Sequence, residues 1–133
     1  MFEFYKSLSG RSFQTPEILP TTASETYAEG EGLVVTAGKL TKTAVTVKPM
    51  YVAAKAYVAP AAGMLDLPVY PVLSFHVYKT SFAADASANA EGTLVTLHTD
   101  GGQITATAAG GVATIIKKLG TGASGTEALI RFL

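Results

Sequence analysis

The chain has 133 residues and a mass of 13.8 kDa, with ten basic residues balanced by ten acidic ones. A neutral chain lacks the electrostatic footprint of a protein that binds nucleic acid or an anionic membrane. Because the chain contains no cysteine, it cannot form disulfides, use thiolate chemistry or bind zinc through cysteine. A length of 133 residues suits a single domain. Hydrophobic residues make up 48% of the chain, and we expect a core of small and β-branched side chains.

Two stretches of the chain could be mistaken for membrane or targeting segments. The first ten residues place Glu3 and Lys6 among aromatic residues and lack the apolar region of a signal peptide. The most apolar stretch, residues 50–73, is interrupted by Lys55, Asp66 and three prolines. A membrane-spanning helix needs about 20 largely uncharged apolar residues. We therefore expect a soluble protein.

The chain divides into two segments by pattern. Residues 1–24 contain aromatic residues, two prolines and Ser/Thr clusters without a sustained period, which predicts an extended N-terminal arm. An edge strand around Glu17 to Leu19 is expected within it. From residue 25 to residue 133, short β-rich runs punctuated by glycine predict a single β domain.

Two turns predict hairpins within this β domain. Ala37-Gly38-Lys39 separates two β-rich runs. Asp100-Gly101 lies in the middle of Leu94 to Ala106 and is a favoured turn dipeptide, because glycine tolerates the positive φ that primed turns require.

Alternating runs predict strands with one buried face. Residues 69–82 and the terminal residues 127–133 both have a period of two. The residues on the predicted buried faces are Leu73, Phe75 and Val77 in the first run and Ala128, Ile130 and Phe132 in the second. The opposite face of the first run carries Ser74, His76 and Tyr78, so His76 is expected on the outer surface.

These patterns together predict an all-β fold. Only residues 81–91 are compatible with a helix, and their Ser, Asp and Asn content fits a loop equally well. We expect a small antiparallel β-barrel or sandwich of short hairpins, with an extended N-terminal arm and little or no helix.

A faint internal repeat runs through the β domain. Residues 31–36 resemble residues 91–96, residues 40–44 resemble 104–108, and residues 50–55 align loosely with 112–117. Two copies are too few for a solenoid. Two similar β-meanders, or chance similarity between strands of small residues, both remain open.

The segment LGTGASGTE, residues 119–127, contains the spacing of a dinucleotide-binding turn at Gly120, Gly122 and Gly125. Such a turn must open a helix and needs an acidic residue about 20 positions further on. Only eight residues come after Gly125, and they alternate with period two. We therefore expect these glycines to join two antiparallel strands, with no bound cofactor.

The remaining polar residues do not form a pattern typical of catalysis. His76 and His98 are the only histidines, and their spacing is unlike that of metal ligands. A site formed by both histidines with Asp100 is the alternative to ordinary surface histidines. No nucleophile motif or pair of carboxylates is evident, so we expect no catalytic residues, no metal and no enzymatic activity.

Large aromatic side chains in the arm are the candidates for an interface. These residues are Phe2, Phe4, Tyr5 and Phe13. They either pack against their own domain or bind a neighbouring subunit or a larger surface through aromatic anchors. Four other tyrosines could serve a core or an interface: Tyr51, Tyr57, Tyr70 and Tyr78.

Five segments succeed one another along nearly the whole chain: MFEFYKSLSGRS, LVVTAGKLTKT, KPMYVAAK, EGTLVTLHTDGGQITATAAGGVATIIK and LIRFL. In this layout the chain resembles small structural proteins encoded in the head-assembly regions of tailed bacteriophages and prophages, particularly those of Gram-positive hosts. By analogy it is similar to lambda-type head-decoration proteins. Those proteins are small β-rich domains with an N-terminal arm that reinforce the capsid exterior, commonly as trimers.

The resemblance implies a place for each part of the chain. Met1 to Thr22 would correspond to the arm that contacts the shell, although the arm of this chain is more aromatic than the lambda-type pattern. Leu94 to Ala106 and the final strand would belong to the β domain. The major capsid protein is the implied partner, with a homo-oligomer (a trimer) as the implied assembly. The implied location is the capsid exterior of the virion, after synthesis in the host cytoplasm.

We therefore expect a virion structural protein that decorates the outer surface of a phage capsid and stabilises it by non-covalent contacts, with neither nucleic acid nor membrane as a partner. A tail or adaptor component of the same particle is one alternative. A stand-alone β-sandwich module that binds carbohydrate or peptide is another, and it predicts a monomer with a concave aromatic platform.

Overall fold

A computed structural model describes the protein over residues 1–9, 15–62 and 64–133. Strands in three antiparallel sheets dominate these residues, and no helix is present among them, which confirms the predicted all-β class. Residues 82–91, for which the sequence fitted a helix and a loop equally well, form a loop. No helix in the described ranges is long and apolar enough to cross a membrane.

The first sheet is built from residues 17–71. Its strands are β2 (Glu17–Pro20), β4 (Gly32–Thr36), β5 (Lys39–Lys42), β6 (Tyr51–Ala53) and β8 (Leu65–Pro71), and they lie in the order β2-β8-β6-β4-β5. The strand expected around Glu17 to Leu19 is therefore confirmed as an edge strand. A separate small sheet pairs β3 (Thr26–Tyr27) with β7 (Tyr57–Val58).

The second sheet combines the N-terminal strand with the second half of the chain. Its strands are β1 (Glu3–Ser7), β9 (His76–Ser81), β10 (Leu94–Val95), β11 (Ala113–Lys118) and β12 (Glu127–Phe132), in the order β1-β9-β12-β11-β10. The strands of both sheets pair antiparallel, and neither sheet closes into a barrel.

Both predicted hairpin turns are confirmed. Ala37 and Gly38 join β4 to β5 with φ values of 50° and 79°, the positive values that a primed turn needs. In the second turn Gly101 has φ 71°, and the Asp100 carboxylate accepts two backbone N–H groups of the turn, at 2.8 and 3.0 Å. The glycine dipeptides therefore act as expected.

The glycine-rich loop joins two antiparallel strands, as predicted. It connects the end of β11 to the start of β12, and Gly122 and Gly125 have φ values of 88° and 84°. Strand β12 begins two residues after Gly125, so the N–H groups of the loop do not open a helix that could hold a pyrophosphate.

The faces predicted for residues 69–82 were wrong. Leu73 and Phe75 are 41% and 38% exposed, whereas His76 and Tyr78 are 6% and 0% exposed. Residues 72–75 form the turn between the two sheets, which interrupts the alternation, and β9 begins only at His76. Val77 is also buried, but Lys79 on the same face is only half-buried, so the covered face of β9 is the one that carries His76, Tyr78 and Thr80.

The two five-stranded sheets share one topology. In each sheet the chain forms a first strand, a hairpin, a return strand and a final strand that inserts between the first strand and the return strand. The first repeat uses β2, β4–β5, β6 and β8. The second repeat uses β9, a hairpin from β10 to residue 107, β11 and β12. Strand β1 is an addition at the edge of the second repeat.

Backbone hydrogen bonds of the first repeat recur in the second repeat 61 or 62 residues later. The paired N–H to C=O bonds are Gly30–Ala53 with Gly92–Ile115, Ala53–Glu31 with Ile115–Thr93, Met50–Leu33 with Val112–Val95, and Val72–Met50 with Leu133–Val112. The parallel bridge between Thr21 and Leu40 likewise recurs between Phe82 and Ile104. Such agreement of register indicates a structural repeat rather than chance similarity.

The repeat corrects one part of the sequence alignment. Residues 40–44 correspond to 104–108, and residues 50–55 to 112–117, as expected, but residues 31–36 correspond to 93–98 rather than 91–96. The shared Glu-Gly dipeptide caused the error. Glu31 is 1% exposed and pairs with Lys42 at 2.8 Å, whereas Glu91 is exposed. A shift of two residues preserves the alternation of faces, so the sequence pattern alone could not reveal it.

Each repeat has its own buried cluster, and the second cluster borrows from the first repeat. The first cluster contains Tyr27, Leu33, Leu40, Ala53, Ala59, Leu67 and Val69. The second is larger and includes Tyr78, Phe82, Leu97, Ile104, Ile115, Ile130 and Phe132, together with Phe2 from the N-terminus. Val52 and Val72, from the outer face of the first sheet, also belong to it. The outer face of the first sheet therefore packs against one end of the second repeat.

Equivalent glycines of the two repeats provide a matched test of this packing. Gly30 and Gly92 have φ values of 79° and 90°, so alanine is strained at both positions. A Cβ at Gly30 would lie 2.7 Å from Met1 Cβ and 2.9 Å from the Phe2 carbonyl oxygen, whereas Gly92 faces open space. We expect Gly92→Ala to lower the free energy of unfolding by about 1 kcal/mol and Gly30→Ala by about 2 to 3 kcal/mol, as measured by urea denaturation. Equal losses would contradict close packing of the N-terminus on the first repeat.

Candidate interaction surface

The aromatic residues of the N-terminal segment fall into distinct environments. Phe2 is 3% exposed and packs edge-on against Phe132, with ring centroids 5.1 Å apart. Phe4 is half-buried, and Tyr5 is 54% exposed. Phe13 lies outside the described residues. Phe2 therefore packs against its own domain, whereas Tyr5 is exposed and available for contact.

Strand pairing explains this division. In β1, Glu3 pairs with Lys79 and Phe4 with Tyr78, and the register shifts before Lys6. Tyr5 occupies the resulting bulge, which turns its ring away from the sheet. The alternation of Phe2 and Phe4 with Glu3 and Tyr5 is a period-two signal that could have predicted this strand from the sequence.

Charged side chains hold β1 at the sheet edge. Lys79 Nζ lies 3.2 Å from a Glu3 carboxylate oxygen and 3.6 Å from one of Glu127. The hydrogen bond with Glu3 raises the pKa of Lys79, and the charge of Glu127 is the next largest cause. Exposed pairs of this kind stabilise little. Together with the bulge, they hinder another strand from adding to this edge.

His76 lies in an aromatic environment next to β1. Its ring centroid is 5.2 Å from that of Phe4 and 5.0 Å from that of Phe75, and its Nδ1 is 3.4 Å from the Tyr78 hydroxyl. Burial lowers the pKa of His76, opposed by a hydrogen bond to the Pro71 backbone. The prediction of a surface histidine was therefore wrong for His76, because His76 lies on the covered face of β9, the face that also carries Tyr78.

The alternative of a metal site at the two histidines gains no support. His98 Nδ1 lies 3.5 Å from an Asp100 carboxylate oxygen, in the second hairpin, while His76 contacts aromatic rings. Within the described ranges, His, Asp and Glu side chains do not gather in any group of three that could hold a metal ion. The structure does not bring these two histidines together as ligands.

A cleft of about 520 Å³ separates β1 from the outer face of the first sheet. Its lining includes the aromatic residues Phe4, Tyr70 and Tyr78 and the acidic residues Glu3 and Glu29. Of the tyrosines left open by the sequence, Tyr78 is a core residue and Tyr70 lines this cleft. The cleft combines aromatic walls with acidic groups, which suits contact with an apolar or cationic side chain.

Exposed apolar residues continue from β1 along the same sheet edge. Tyr5 and Leu8 are each 54% exposed, and the Leu8 N–H donates to the Phe75 carbonyl at 2.9 Å. Alternation along a single strand could not have predicted this row, because Phe75 belongs to the turn between the sheets. We call Tyr5, Leu8 and Phe75 the N-terminal row.

The chain matches no protein-family model, no curated protein and no solved structure. The interpretation of the N-terminal row therefore depends on its geometry and on the physical chemistry of its side chains.

Phe2 and Tyr5 are expected to differ sharply in their contribution to stability. Phe2→Ala removes a ring from the second core and should lower the free energy of unfolding by about 3 to 5 kcal/mol. Tyr5→Ala should change it by less than about 0.5 kcal/mol, because the side chain is half exposed at a bulge. Urea denaturation of both variants measures this difference. A mild effect of Phe2→Ala would contradict its role in the core.

Stability should depend on pH through His76. Since its pKa is lower in the folded state, the unfolded chain binds the proton more readily, and stability present above about pH 6.5 is lost as pH falls through that value. We expect the melting temperature to fall between about pH 7.5 and about pH 5.5. The fall should be smaller in His76→Gln, whereas the control His98→Gln should retain it. An unchanged fall in His76→Gln would assign the effect to other groups.

Proposed function

We propose that this protein is a non-catalytic virion structural protein that decorates the outer surface of a phage capsid and stabilises it through non-covalent contacts. The observation that carries the proposal is the N-terminal row. Tyr5 lies in strand β1, and Leu8 directly after it is hydrogen-bonded to the turn that carries Phe75. Since Phe2 fixes this strand to the domain, contact with a partner needs little ordering of the chain.

The anchoring of β1 supports a role in holding a surface rather than in capturing a flexible ligand. Phe2 donates its backbone N–H to Gly30 of the first repeat at 2.8 Å, and its ring lies in the second core. The segment that carries Tyr5 and Leu8 is therefore attached to both repeats. This suits a clamp that adds free energy only to the shell it recognises.

The distribution of tyrosines argues against the stand-alone ligand-binding module. Such a module predicts exposed tyrosines gathered on one sheet face. Instead Tyr27 and Tyr78 are buried, and Tyr51, Tyr57 and Tyr70 are half-buried, which leaves Tyr5 as the exposed one among the described tyrosines. Exposed aromatics on the arm and at the turn between the sheets favour assembly.

The number of copies per particle distinguishes capsid decoration from the alternative functions. Virus-like particles from an induced culture of the source organism would be purified, and this chain quantified by mass spectrometry against the main shell protein. We expect hundreds of copies per particle, because a shell presents many equivalent sites. A handful of copies would move the protein to the tail or to an adaptor. Complete absence of the chain from the particles would contradict the proposal of a virion protein.

The role of the N-terminal row is tested by point variants, since deletion of the arm would also remove Phe2 from the core. Tyr5→Ser with Leu8→Ser should lower binding to particles about tenfold or more, without loss of thermal stability, because two exposed anchors are removed. Val58→Ser changes a residue that is 69% exposed on β7 and is the matched control. Co-sedimentation with stripped particles measures both. Equal binding of the two variants would exclude the N-terminal row as the docking surface.

A further inference from the structure

The outer face of the first sheet is covered by the second repeat. The Gly32 N–H donates to the Gly101 carbonyl at 2.6 Å, across the boundary between the repeats. Val52 and Val72, on the same outer face, are 4% and 7% exposed within the second core. Tyr70 and Tyr78 line one cleft from opposite sides of this boundary. One repeat thus docks its end onto the outer face of the other.

The equivalent positions on the second sheet are largely open, although their neighbour Val77, which pairs with Arg131, is buried. Leu94 corresponds to Gly32 and is 38% exposed, and Leu133 corresponds to Val72 and is 53% exposed. Thr114 is half-buried and pairs with Leu94 on one side and with Arg131 on the other. Arg131, the equivalent of Tyr70, is exposed. We call Leu94, Thr114, Arg131 and Leu133 the uncovered face.

The residues of the second repeat that cover the first sheet have equivalents in the first repeat, and these equivalents are exposed. Gly101 lies in the turn of the second hairpin, which corresponds to the β4–β5 turn at Ala37 and Gly38. Both turn residues are exposed, and Val35, the equivalent of Leu97, is 37% exposed. Tyr78 corresponds to Glu17, an exposed residue of β2. The first repeat therefore presents the docking end that the second repeat uses within the chain.

The charges at the two surfaces are complementary. Within the chain Tyr78 faces the cleft that Tyr70 lines. By the same equivalence, Glu17 of one copy would take the place of Tyr78 and Arg131 of the next copy the place of Tyr70. Burial raises the pKa of Tyr51, and the charge of the nearby Glu17 and a hydrogen bond with it raise that pKa further, which places Glu17 beside Tyr51 at this end of the first repeat. The opposite charges of Glu17 and Arg131 would attract each other.

We propose that copies of this protein associate head to tail, with the β4–β5 hairpin and Glu17 of one copy on the uncovered face of the next. The contact repeats the packing that already joins the two halves of the chain. Stacked repeats bury each outer face against a neighbour, and the terminal face stays exposed until another unit covers it. Strand β1 has no counterpart in the first repeat, so the contact between copies is smaller than the one within the chain.

A contact between two different surfaces is heterologous, so it closes into a ring or extends as a filament, according to its rotation. The proposal develops the homo-oligomer expected for a decoration protein and rests on that function. Self-association is measured without any capsid, so its failure is distinguishable from failure of particle binding.

Variants that reverse the charge on either side of the contact test the proposal. Sedimentation velocity of the full-length chain over a range of concentrations should give species heavier than 13.8 kDa. Arg131→Glu and Glu17→Arg should each raise the dissociation constant about tenfold or more, because each places like charges together. The double variant Glu17→Arg with Arg131→Glu should recover most of the affinity, since it restores opposite charges at every contact. Thermal melting of each variant confirms that it is folded.

Matched controls complete the test. Lys55→Glu makes the same change of charge at an exposed site outside the contact and should leave association unaltered. Leu133→Ser should weaken association, whereas Val58→Ser should not, and this pair tests the contact if Arg131→Glu does not fold. The proposal is overturned if the wild-type chain remains a monomer up to about 1 mM, if the single reversals leave association unchanged, or if the double variant stays as weak as the single ones.

Discussion

The packing of the first sheet's outer face against the open end of the second core is the constraint on which the rest of the structure depends. Val52, Val72 and Phe2 close this end of the core. Without them, the rings of Tyr78 and Phe132 would face water. Removal of large apolar surface from water is the dominant stabilising term in folding, so the two repeats are stable as a pair. The position of β1, and hence of the N-terminal row, results from this packing.

Close approach at the boundary is possible because small residues meet there, beside an ion pair whose carboxylate is buried and whose lysine is exposed. A Cβ at Gly32 would lie 3.1 Å from the Gly101 carbonyl oxygen, and one at Gly101 would lie 3.1 to 3.2 Å from side-chain carbons of Lys42 and Glu31. Glu31 is buried, accepts the Ala28 N–H at 2.9 Å and pairs with Lys42. Such a carboxylate is tolerated only with its partners in place, so the ion pair specifies this arrangement more than it stabilises it.

The same boundary connects the fold to both proposals. It fixes β1 to two repeats at once, which holds in place the N-terminal row that we propose as the docking surface. It also leaves one sheet face covered and its equivalent uncovered, which gives the molecule two different ends. A structural protein that must cover a large symmetric surface benefits from both properties, and the two proposed surfaces adjoin, since Phe75 of the N-terminal row lines one pocket with Arg131 and Leu133 of the uncovered face.

The sequence by itself determined the all-β class, the two glycine hairpins, the terminal strand and the role of the glycine-rich loop, because turn chemistry and period-two alternation are local properties. Tertiary structure alone decided the burial of His76, since an alternating pattern separates the two faces of a strand but does not reveal which of them is covered. It also decided the register of the repeat around Glu31, because a shift of two residues leaves the alternation unchanged. The division of the arm into a buried Phe2 and an exposed Tyr5 depended on pairing with β9 and on a bulge, which are contacts between residues about 70 positions apart in the chain. Long-range contacts of this kind carry no local signal.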